Sequence, residues 1–223
     1  MLDKFLRTIK KITPEKWQWV LSHEGFKRYF ANTGWMFVGQ MFYLLVAFFI
    51  GAWIARYLGP EKYGLVSYVV AFVGLFSFLG ALGVDGVLNR ELVSHPEKRD
   101  ELLGTSFRLK LFGGGVAFLF VTLFAFIFSG SDIYLRALII MFGLSFFLQA
   151  PNVISIFFYS QVKAKETIKA QLIAALISAV LKIALILLGG GVVGLLLIYV
   201  ADSIWQGIFL LKFYRKEGYK IFN

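Results

Sequence analysis

Two ionisable residues sit where an apolar chain tolerates them least: Lys182 inside LISAVLKIALILL and Asp202 inside LLLIYVADSIWQG. A charge at the centre of a bilayer costs at least about 2.5–3.5 kcal/mol, so one that is kept there is paired, solvated or functional. Lys182 and Asp202 lie about six and ten residues from the same ends of their runs, a difference in depth of about 6 Å at 1.5 Å per residue. A lysine side chain spans that gap, so an ion pair between neighbouring helices is one of two readings of the spacing. The alternative is that Lys182 snorkels to the interface while Asp202 binds a helix hydroxyl or water. A second group, Asp85, Arg90 and Glu91, follows the end of another apolar run. These three either form ion pairs that exist in only one of two conformational states, or cap and tie the chain where it re-enters the next helix. Catalytic sets are missing. His23 and His95 have no metal-ligand spacing to each other or to carboxylates, and no Gly-Lys-Ser/Thr loop is present to cradle a nucleotide phosphate. Neither an enzyme activity nor a cofactor is expected.

The elements that must hold these residues are membrane-spanning helices. The 223 residues are 59% hydrophobic, include 25 Phe and are only 16% charged, well beyond the roughly 45–50% apolar content of soluble domains. With no cysteine, neither disulfides nor thiolate metal ligation is available. Hydropathy predicts an all-α polytopic bundle of six spans, at 34–55, 65–84, 109–129, 133–159, 168–188 and 192–213. All but the fourth, which is long, are close to the 20 residues that cross about 30 Å of hydrocarbon. Pro151 predicts a kink or tilt in the fourth span, with Gln149 and Asn152 beside it to serve the freed backbone. Ser94 and Glu97 have the spacing of a capping box, opening a helix near Pro96 that leads into the third span. Gly113, Gly114 and Gly115 would permit close helix approach or local bending in that span.

The charge pattern orients the bundle. A formal charge of +10 on a soluble protein would suggest nucleic acid. Here the basic residues lie between apolar runs, so anionic lipid headgroups are the expected partners and nucleic acid is not. The lead at 1–31 holds seven Lys and Arg, the connection after 84 five, that after 159 three, and the end of the chain from Lys212 onward four. The alternate connections hold only Arg56, Lys62 and Arg136. This 19 to 3 split predicts a multi-pass protein of the cytoplasmic membrane with both ends in the cytoplasm. The lead reads as an amphipathic helix in the headgroup plane, with Leu2, Phe5, Leu6, Ile9 and Ile12 opposite Lys4, Arg7, Lys10 and Lys11. The organisation is thus a basic lead at 1–31, a six-helix lobe at 32–213 and a basic tail at 214–223.

Residues 51–91 carry a family resemblance. The run RYLGPEKYG, from Arg56, followed by GVDGVLNRE, ending at Glu91, resembles the start of the polysaccharide biosynthesis proteins. These are O-antigen-type flippases of lipid-linked oligosaccharides in the multidrug/oligosaccharidyl-lipid/polysaccharide exporter superfamily. The hairpin motif is specific; beyond it the resemblance rests on hydropathy and helix spacing. Family members have twelve to fourteen spans in two lobes around a central cavity that opens alternately to either side, so this chain resembles one lobe. The resemblance implies translocation of a lipid-linked oligosaccharide across the cytoplasmic membrane, driven by an ion gradient, the membrane potential or the substrate's own gradient. It also implies a second lobe, from the rest of a longer chain or from a second copy; an even number of spans lets such a copy insert the same way up.

In that family the first two helices line the cavity. The resemblance therefore makes Gln40, Tyr43 and Tyr68 substrate-path candidates alongside Lys182 and Asp202. Arg56, at the outer mouth, would meet a pyrophosphate through its guanidinium fork or anchor a helix end to lipid phosphates. Asp85, Arg90 and Glu91 become inner-gate candidates. Residues 33–55 contain no ionisable side chain, which argues against a peptidoglycan-precursor role. A drug/cation antiporter of the same superfamily would need acidic residues in the first-lobe cavity, and none precedes Asp85 in the first two spans. A non-transporting membrane scaffold for glycan-assembly enzymes is the alternative from another class.

Overall fold

The computed structural model describes residues 24–219, and the amphipathic lead expected over 1–31 lies almost wholly outside them. Among the described residues nine α-helices follow one another: α1 Glu24–Gly74, α2 Ser77–Ala81, α3 Val84–Ser94, α4 Arg99–Phe128, α5 Ile133–Gly143, α6 Ser145–Leu148, α7 Val153–Ser160, α8 Ala164–Leu187 and α9 Val192–Lys216. Short 3-10 turns at Pro96–Lys98 and Ala150–Asn152 lead into α4 and α7. No strand occurs among the described residues. The bundle is a helical membrane protein: its long helices present Phe, Leu and Trp side chains outward along most of their length, as a lipid-facing surface requires.

Among the described residues five helical stretches, not the expected six, are long and apolar enough to cross a membrane. The difference lies in α1, whose apolar part Phe30–Gly74 joins the first two expected spans without a loop. Gly59 alone leaves helical geometry, with φ 73° and ψ 172°, and Pro60 starts the second arm. That backbone region is essentially restricted to glycine, and proline suits the first turn of a helix because its missing N–H would find no partner there. The two arms run in opposite directions. Asn32 meets Ala164 and Tyr57 meets Gly190 on the first arm. On the second, Phe72 meets Phe128, and along its continuation Phe76, in the turn after α1, meets Phe124 and Gly80 of α2 approaches Ala117.

Helix ends follow local chemistry. The Asp132 carboxylate accepts from Leu135 N at 2.9 Å and starts α5. A Schellman motif closes α8, with Gly190 N donating to Leu185 O at 2.8 Å, Gly189 N to Ile186 O at 3.2 Å, and Gly189 at φ 73°. The same pair of bonds ends α7, from Lys163 N to Phe158 O and Val162 N to Tyr159 O. There the left-handed position is held by Val162, at φ 56°. The expected capping box does not form: Ser94 ends α3, His95 stands at the cap without a side-chain bond, and Glu97 pairs with His95 Nδ1 at 3.3 Å.

Packing divides into two apolar cores. One, toward the end holding Gly59, Gly130 and Gly190, is built from Ile54, Val66, Val69, Val121, Ile139 and Leu196. The other, toward the basic end, gathers Leu88, Leu103, Ile154, Phe158, Leu210 and Tyr214. Between them the fourth expected span breaks into α5, α6 and α7, and the interruption reaches well beyond Pro151. Pro151 is accommodated by α9 at Gly207, where a Cβ would come within 3.3 Å of its ring.

Candidate functional site

Polar side chains gather in two interior places. The first lies between the first arm of α1, α8 and α9. Lys182 Nζ stands 3.2 Å from Asp202 Oδ2 and 4.3 Å from the centre of the Tyr199 ring, so the ammonium is held by an ion pair and a cation–π contact. Of the two readings that the sequence left open for these side chains, the ion pair is the one formed. They line a cavity of about 130 Å³ with Tyr43, Gly51, Ser178 and Tyr199. Asp202 Oδ1 and Ser178 Oγ are buried there without a hydrogen-bond partner. A buried acceptor left unpaired costs about 1–3 kcal/mol, so these two atoms favour an incoming donor such as a hydroxyl or water.

The second place lies between the two cores. A cavity of about 280 Å³ is lined by residues from seven of the helices and by the Ala150–Asn152 turn. Lys110 Nζ and Asp85 Oδ1 meet there at 2.5 Å, with the lysine side chain 9% exposed and the aspartate 55%. Gln149, Asn152, Ser155, Thr167, Gln171 and Gln206 supply the remaining polar wall. Ser155 and Thr167 have buried hydroxyls with no partner. An interior this polar in so apolar a bundle persists only where a ligand, water or a moving part needs it.

The other sequence candidates scatter. Asp85 does not associate with Arg90 and Glu91, which pair instead with each other at 3.2 Å on the exposed face of α3. In this conformation Asp85 stands apart from the other two, at the first turn of α3. Gln40 and Arg56 are exposed. Tyr68 lines an open groove of about 720 Å³ at the opposite end, with Glu61, Lys62 and Asp132, rather than the Tyr43 cavity. Lys110 is the functional-looking residue that the sequence hid, since it reads as one more cation in a basic connection. Its signal was position: about 16 Å into α4 at 1.5 Å per residue, too deep for a surface charge. Gln171 and Gln206 carried a signal as well, as amides inside apolar runs.

No curated protein and no solved structure matches the chain. The family profile described as polysaccharide biosynthesis protein matches residues 29–223, nearly the whole chain and all of the helical lobe. With its multi-pass membrane architecture and polar interior, the chain belongs to the polysaccharide biosynthesis protein family.

Proposed function

We propose that the protein translocates a lipid-linked oligosaccharide across the cytoplasmic membrane by alternating access, acting as one lobe opposite a second six-helix unit. The carrying observation is the polar interior of a family member whose outer faces suit lipid: a paired Lys182 and Asp202 with spare acceptor atoms, open toward Tyr43 on α1. Such a lobe offers hydroxyl-binding groups at membrane depth while lipid tails stay outside. Gln40 and Tyr68 are exposed on α1, and Tyr43 keeps exposed surface while lining the cavity beside Lys182, where a second lobe would close a pathway. Both ends of the chain lie in the cytoplasm on this reading, with the turns at Gly59, Gly130 and Gly190 outside.

The test is deletion of the gene and complementation, scored by leaflet. Loss of outer-leaflet lipid-linked saccharide, with inner-leaflet accumulation and intact glycan-assembly complexes, supports translocation. Normal translocation with dispersed enzyme complexes refutes it in favour of the scaffold.

A further inference from the structure

The cavity between the two cores has the chemistry of a sugar-ring site. We propose that it holds one uncharged sugar ring of the translocated molecule, an inference that rests on the flippase reading and adds a subsite to it. Its volume of about 280 Å³ is more than the solvation of two hydroxyls requires. Charge sets the class of ligand. Asp85 and Lys110 are the only ionisable pair in the wall and neutralise each other at 2.5 Å. A phosphate or acidic sugar meets the carboxylate, and a cation meets the ammonium. The amides of Gln149, Asn152, Gln171 and Gln206 each offer donors and an acceptor, the mixture a ring of hydroxyls requires. Independent of the wall's composition, Ser155 Oγ and Thr167 Oγ1 are buried and unpartnered, from two different helices, and both residues line the space. Thr167 is only 2% exposed. Phe146 and Ile156 supply apolar surface for the C–H face of a ring. Entry is through the mouth, where Asp85 and Gln149 are exposed.

The site is tested in cells that make the glycan, with a photoreactive diazirine side chain placed at Gln149 or, as a control, at the lipid-exposed Phe112. Mass spectrometry of the irradiated protein is expected to find an adduct bearing a neutral sugar at Gln149 and none at Phe112. In parallel, Thr167→Val with Gln171→Leu is expected to lower translocation at least tenfold at unchanged protein level and unchanged melting temperature. Adducts of phospholipid alone or of an acidic sugar at Gln149, or full translocation by the double variant, overturn the subsite while leaving the flippase reading standing. Failure of the wild-type protein to translocate overturns both.

Discussion

Lys182 and Asp202 allow the energetics of a charge pair at membrane depth to be worked through. At 3.2 Å and an effective dielectric of about 20, their attraction is about 5 kcal/mol. Desolvating two ions consumes several kcal/mol each, so the intact pair is close to neutral for stability, whereas removing one partner costs about 3–5 kcal/mol. The side chains are 12% and 33% exposed, which places the cost near 3 kcal/mol. Lys182→Met strands a carboxylate whose Oδ1 already lacks a partner, and Asp202→Leu strands an ammonium left with only the Tyr199 ring. For a chain of this size 1 kcal/mol moves the melting temperature by about 2–4 °C, so each single change lowers it by about 6–12 °C in nanodiscs. The double variant Lys182→Met with Asp202→Leu returns to within about 1 kcal/mol of wild type, since both charges are gone. The diagnostic quantity is the coupling from the double-mutant cycle. Two single losses that simply add, with coupling under about 0.5 kcal/mol, would refute an interacting pair.

Other substitutions probe the backbone and the topology. Gly59→Ala is expected to cost about 1–3 kcal/mol through conformation alone, because no atom stands within 4 Å of its Cβ; circular dichroism melting reads this directly. Val162→Gly removes a left-handed penalty of about 1–2 kcal/mol at a glycine cost of about 0.5–1, so it raises the melting temperature, and a fall would mean that the Val162 turn is not strained. Gly113→Ala puts a Cβ 2.8 Å from Leu82 and 2.9 Å from the Gly80 carbonyl, an overpacking cost of about 1–3 kcal/mol; Gly104→Ala, with open space around it, is neutral or stabilising by up to about 1 kcal/mol. Since the chain has no cysteine, Ser131→Cys and Lys165→Cys can be labelled singly in intact cells. The first is expected to react with an impermeant maleimide from outside and the second only after permeabilisation; the reverse result inverts the topology.

The sequence was most informative where one residue's chemistry dictates one geometry. Gly59 followed by Pro60 marked the reversal, although not that helical pairing would run through it as a single element. Depth along two apolar runs put Lys182 within reach of Asp202 but left the pair and its alternative both open; the structure shows the pair. The fourth expected span came out differently. One proline predicted a kink, whereas the helix is interrupted from Leu144 through Asn152, for Gly143 and Gly207 let neighbours press in on both sides. The inner cavity was illegible for the same reason: Asn152, Thr167, Gln171 and Gln206 converge only because that break turns the chain toward α8 and α9.

Lys110 connects the orientation of the bundle to its interior. Counted as a flanking cation, it supports the basic end; observed, it is buried and neutralised by Asp85, so it exerts no pull toward anionic headgroups. The asymmetry that orients the bundle survives without it, at 18 to 3. A lysine released from topogenesis is free for another use, and burying its charge is tolerable only because α3 begins with an acid one turn away from the short α2. The left-handed residues Leu82 at φ 46° and Gly83 at φ 65° set that register. They aim Asp85 back at α4 rather than out along α3, where Arg90 and Glu91 point. The strained corner between α2 and α3 is thus what converts a surface charge pattern into a neutral polar chamber between two apolar cores.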